Sequence, residues 1–170
     1  MRDRISGAPS ANTSDNPQLY AGSRHARPLR DNSFALEEQV GFLLRAVSQR
    51  NTILFKQEMV HGLTRVQFAT MAKLLEIESC SQNELGRLVL LDRATIKGVI
   101  TRLRRRRFIQ IIPHQTDRRQ HVLALTSLGR KVVERAIKVA PSITEKMLQP
   151  LNGPERRQIV HLLRKLCDNV

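Results

Sequence analysis

The residues best suited to chemistry are cations and threonines set at helical spacing behind one carboxylate. Asp92 is followed by Arg93, Thr95, Lys97, Thr101, Arg102 and Arg105. Asp92 can cap a helix and suits the positive end of its dipole. On that helix Ile96, Val99, Ile100 and Leu103 share one face, and the polar residues take the other face or its edges. Arg and Lys carry donors that match guanine edges, and Thr can meet a base or a thymine methyl. The run Arg104 to Arg107 fans out at roughly 100° per residue, so it should supply salt-dependent phosphate attraction and not sequence readout. A second cluster is Asp117-Arg118-Arg119, where the carboxylate can hold an arginine extended for a narrow A·T-rich minor groove. This is the chemistry of non-covalent recognition of a polyanion. Covalent chemistry has little support: His25, His61, His114, His121 and His161 are scattered, and no nucleophile elbow, HExxH or phosphate-cradling glycine loop occurs. We expect no enzyme, no cofactor and no metal site.

Three elements must hold these groups. Ser81-x-x-Glu84 is a capping box that opens a short helix, with Leu85 and Leu88 facing inward. The helix behind Asp92 follows. Then the period changes: Phe108 to Ile112 and His121 to Leu125 are β-rich runs joined by the polar loop Pro113 to Gln120, which predicts a hairpin. Helix, turn, helix and hairpin make the outline of a winged helix-turn-helix in a mainly α protein. Its second helix would enter a major groove. Ser81 and Gln82, where the first of these helices begins, join the expected DNA contacts, with the wing residues Arg118 and Arg119 and the supporting Asp117.

The rest of the chain fits this unit. The net charge is +14, from 29 Lys and Arg against 15 Asp and Glu. Between Arg87 and Arg135 there are 13 cations and three acids, so most of the excess lies on the DNA-reading segment. A hydrophobic fraction of 41% with only 4% aromatics predicts an aliphatic helical core. Residues 1–32, with three prolines and basic residues at Arg2, Arg4, Arg24, Arg27 and Arg30, read as a flexible basic extension. Residues 33–170 form the domain: 33–62 and 127–170 as dimerisation helices and 63–126 as the winged helix-turn-helix. The first helix is expected to start behind Ser33 and run to about His61, with Leu36, Val40, Leu43, Leu44, Val47, Leu54 and Phe55 near one stripe. Thr64-x-x-Gln67 is a further capping box. Pro141 should kink the helix after Thr126, and Asn152-Gly153-Pro154-Glu155 should start the last one. Cys80 and Cys167 lack a partner pattern and read as inert thiols of a reducing cytosol. No secretory signal or membrane-length apolar run is present, so a cytoplasmic location is expected.

Taken in order, Leu63-Thr64-x-x-Gln67-Phe68, Asn83-Glu84-Leu85, Leu91-Asp92-Arg93-Ala94-Thr95, Asp117-Arg118-Arg119 and Leu125-Thr126-x-x-Gly129 resemble the MarR family of transcription regulators over about residues 34–168. The resemblance implies an intertwined homodimer with one winged lobe per subunit on a palindromic operator. It places Arg119 in the minor groove beside Asp117, and Thr95, Lys97 and Thr101 toward the major groove. Arg107 departs from the pattern, since the family often has Gly there. An Arg at positive φ would carry strain, which points to a differently built turn. Leu36 to Arg45 with Gln49-Arg50 is similar to the subgroup that represses catabolism of small aromatic acids, including nicotinate-pathway repressors that respond to a hydroxynicotinate.

The expected effector is therefore a small aromatic carboxylate. Arg45, Gln49 and Arg50 interrupt the first helix with polar groups, and a guanidinium can clamp a carboxylate bidentately. Phe55, Phe68 and Met71 would wall the ring and His61 would donate to it. The alternative is a winged-helix protein that binds nucleic acid without sequence preference, in DNA compaction or RNA binding. A protein-interaction module built on the same helices is a third.

Overall fold

The computed structural model describes residues 34–113 and 120–168. The chain divides into two units, Met1–Ala35 and Leu36–Val170, and the fold below is that of the second. The expected basic extension 1–32, and Asp117, Arg118 and Arg119, lie outside the described residues.

A 3₁₀ turn at Leu36–Glu38 precedes α1 (Val40–Glu58). The single helix expected from Ser33 to His61 is therefore shorter at both ends. Gln39 and Met59 are extended, with ψ of 127° and 131°, and break the ladder on either side. A second 3₁₀ turn, Val60–Gly62, joins α1 to α2 (Arg65–Ile77). Here Thr64 and Gln67 exchange both bonds of a capping box. The two-residue strand β1 (Ser79–Cys80) leads into α3 (Gln82–Leu88) and α4 (Arg93–Arg105). The hairpin is β2 (Ile109–Pro113) and β3 (His121–Leu125), antiparallel, with Ile109 opposite Leu125 and Pro113 opposite His121. α5 (Ser127–Leu148) runs through Pro141 as one helix, and α6 (Gly153–Cys167) starts at the Asn152–Glu155 capping box with Pro154 in its first turn.

The sheet order is β1-β3-β2, so β3 is central and β1 ties the hairpin to the α2–α3 connection. Met71 and Leu74 of α2, Leu85 of α3 and the four apolar residues of α4 meet Ile109, Leu123, Val132, Val133 and Ala136 in one core. Leu88 does not face inward with Leu85: it is 44% exposed at the end of a two-turn helix. Cys80 is buried in this core. Burial, with the Glu84 carboxylate adding to it, pushes its thiol up to about 11, which favours the protonated form. None of the α6 residues is buried. Leu162, Leu163 and Leu166, like Val40, Leu43 and Val47 of α1, are exposed. Among the described residues, no helix is long and apolar enough to cross a membrane.

Candidate nucleic-acid interface and ligand cleft

Local bonds set the start of α4. Asp92 Oδ1 accepts from the backbone N–H groups of Ala94 and Thr95, both at 2.9 Å, and Oδ2 accepts from the Thr95 hydroxyl at 2.5 Å. The Thr95 hydroxyl and then these N–H groups hold the Asp92 carboxyl below the usual carboxylate range. Ile96, Val99, Ile100 and Leu103 are all buried, and this turns Arg93, Thr95, Lys97, Thr101, Arg102, Arg104 and Arg105 outward. The Thr101 hydroxyl donates to the Lys97 carbonyl at 2.9 Å. Both threonine protons are thus engaged, and what Thr95 and Thr101 offer a base is a methyl group or a lone pair. At α3, Ser81 is exposed and accepts from the Glu84 N–H at 3.3 Å. Only this half of the expected capping box forms. Gln82 is half-buried.

The end of α4 corrects one expectation. Arg107 does adopt positive φ, +59°, in the place where glycine usually serves. The Phe108 N–H donates to the Leu103 carbonyl at 3.0 Å and the Arg107 N–H to the Arg104 carbonyl at 2.8 Å, the two bonds of a Schellman motif. The turn is therefore the glycine-type turn, with a strained arginine in it. The motif is closed by buried Leu103 and Phe108, which lie at the two positions that pack together in it.

The run of four arginines separates at this turn. Arg104, Arg105 and Arg107 line an open groove of about 610 Å³ with Thr101 and with Ile109, Gln110 and Ile111 of β2. Such a groove between a basic helix end and a strand fits a sugar–phosphate backbone. Arg106 points elsewhere. Its guanidinium lies 4.6 Å from the centroid of the Phe108 ring and donates to the His61 carbonyl.

A second cleft, about 460 Å³, opens between α1, α2, α5 and α6. Phe55 and Phe68 form its aromatic wall, with ring centroids 5.7 Å apart. Arg65, Asn51 and Thr144 supply polar groups, and Ile143, Met147 and Leu163 are among the aliphatic ones. The Arg65 guanidinium donates to the Ser48 hydroxyl of α1 at 3.2 Å. Of the expected effector residues, only Phe55 and Phe68 lie on this cleft. Arg45 is exposed, with its guanidinium 5.3 Å from the Phe42 ring centroid of its own helix. Gln49, Arg50 and His61 are exposed and off the cleft lining. Met71 is fully buried, so it packs the core and cannot wall an open site. Arg65 was missed because, as the first residue of α2, it reads as part of a capping box, and its neighbours come from distant segments. Among the described residues, no group of three or more His, Cys, Asp or Glu could hold a metal ion.

Known proteins resemble this chain in sequence and fold. The sequence profile of the MarR family matches residues 63–121. The transcriptional repressor NicR of Pseudomonas putida is 38% identical over 143 residues, covering 84% of this chain and 90% of that protein. The chain belongs to the MarR family. It is a DNA-binding transcription regulator of the winged helix-turn-helix type and not an enzyme. Solved structures superpose on it. A probable transcriptional regulator from Pseudomonas aeruginosa does so with a TM-score of 0.74 at 39% identity, covering 78% of this chain and 99% of that one. BpsR of Bordetella bronchiseptica, whose DNA binding is regulated by 6-hydroxynicotinic acid, does so at 0.74 and 36%, covering 80% and 98%. Within this winged helix-turn-helix fold, α3 and α4 are the helix pair, and β2 and β3 are the wing strands.

Proposed function

We propose that this protein is a homodimeric repressor that grips a palindromic operator and lets go when a small aromatic carboxylate of the hydroxynicotinate class enters the α1–α2–α5–α6 cleft. The observation that carries the proposal is the composition of that cleft: two aromatic rings beside a guanidinium. An aromatic acid needs a flat apolar wall and a bidentate donor, and Phe55, Phe68 and Arg65 provide them. The likeness to NicR, a repressor, and to BpsR, regulated by 6-hydroxynicotinic acid, points the same way. Dimerisation is supported by the exposed leucines and valines of α1 and α6, which on an isolated protomer face water.

Release would be a shift of populations. The acid must bind better to a dimer whose two recognition helices are misplaced for half-sites about one helical turn apart. An acid that fitted both arrangements equally would release nothing, however tightly it bound.

The test has two stages. Duplexes retained by the protein are enriched from a random pool, then released by a panel of aromatic acids that includes 6-hydroxynicotinate, read by fluorescence anisotropy. Calorimetry follows on Arg65→Ala, Arg45→Ala and His61→Ala. The expected result is a palindromic duplex, one releasing acid, and at least a tenfold affinity loss in Arg65→Ala alone. Loss in Arg45→Ala or His61→Ala instead would put the acid outside the cleft. A duplex that no acid releases would end the aromatic-acid proposal and leave the regulator. Binding no tighter than to random DNA would favour the non-specific reading that the basic charge also permits.

A further inference from the structure

Three of the four consecutive arginines at the end of α4 face the groove beside β2, and the fourth does not. We infer that Arg106 is a positioning residue for DNA reading: a strut that fixes the end of the recognition helix against the α1–α2 turn, with no contact to DNA of its own. Two independent contacts support this. The Arg106 guanidinium lies over the Phe108 ring, and it donates to the His61 carbonyl, 45 residues away in the chain. Both ends of the strut are anchored. Phe108 is buried and its N–H closes the Schellman turn on Leu103. His61 lies in a 3₁₀ turn held between the buried Met59 and Leu63, and the turn packs on α5. His61 and Gly62 both have positive φ, 55° and 56°, so the turn has an unusual backbone with a carbonyl available to the guanidinium. Without Arg106, α4 keeps its buried face but loses the one described side-chain hydrogen bond joining its end to the α1–α2 turn.

A strut and a phosphate contact differ in what they do to DNA binding. Loss of a phosphate contact weakens all sequences alike and flattens the salt dependence by about one unit. Loss of a strut tilts the reading face, so the preferred sequence suffers and random DNA does not. The experiment uses the full chain, the enriched duplex and a random duplex, each over a KCl series, with R105Q and R106Q compared. R106Q is expected to bind the enriched duplex about tenfold more weakly, to bind random duplex within twofold of wild type, and to keep the wild-type salt slope. R105Q is expected to weaken both and to lower the slope. A second readout needs no DNA: amide hydrogen exchange at Leu63 and at Phe108 should accelerate together in R106Q. R106K, which keeps a cation and a donor, should restore part of both effects, and it carries the test if R106Q does not fold. A slope lowered by one unit in R106Q, equal losses on both duplexes, or unchanged exchange at Leu63 and Phe108 would overturn the inference.

Discussion

Arg107 and Asp92 are two exposed residues whose backbone surroundings make opposite demands. At φ +59°, Arg107 holds a left-handed conformation that costs an L-residue about 1–2 kcal/mol. Glycine would remove that cost but add freedom to the unfolded chain, worth roughly 0.5–1 kcal/mol. Arg107→Gly is therefore expected to raise stability by up to about 1 kcal/mol in urea unfolding while weakening DNA binding, since one of the three groove cations is lost. Asp92 gives a pH signature. The Thr95 hydroxyl lowers its folded pKa below 3.8, so its contribution is present above the unfolded value and is lost as pH falls through the folded one. Thermal melts from pH 6 to pH 2 should show an acid-side loss in the wild type that is smaller in Asp92→Ala, whose Tm is lower at neutral pH. Caps such as Asp92, Thr64 and Asn152 are legible in sequence because donor and acceptor sit three residues apart. Arg65 and Arg106 were not, because Ser48 and His61 reach them only through the fold.

At the scale of elements, the start of α5 crosses the turn after α4 with no room to spare. The Thr126 hydroxyl donates to the Arg107 carbonyl at 2.6 Å and accepts from the Gly129 N–H at 2.9 Å. A Cβ added at Gly129 would sit 2.0 Å from the Phe108 carbonyl oxygen. That gives Leu125-Thr126-x-x-Gly129 a physical meaning: Thr binds the crossing element and Gly lets it pass. Gly129→Ala forces backbone against backbone and is expected to cost about 3 kcal/mol or more, read as a lowered urea midpoint. The long helices and the hairpin were legible because their apolar periods extend over many residues. β1 was not, since two residues have no period, and the breaks at Gln39 and Met59 carry no glycine or proline to mark them.

At the scale of the molecule, the apolar faces of α1 and α6 are the unfinished part of the fold. Leu166 is 60% exposed and Val40 64%. If a second protomer covers them, folding and association are linked, and Tm should rise with protein concentration. A Tm constant over a hundredfold dilution range would count against the dimer. The charge was legible as a whole-chain property, but its division into groove cations and a strut was not, because composition carries no direction. The sheet has a temporal side as well. Ser79 pairs with Ala124, so the β1–β3 ladder closes a loop of chain that holds α3, α4 and the first wing strand. The helices can form from near neighbours, but this ladder must close a long loop. Sheet closure therefore carries a loop-entropy cost, and lengthening the chain between its two strands is expected to retard refolding, read by stopped-flow fluorescence or circular dichroism.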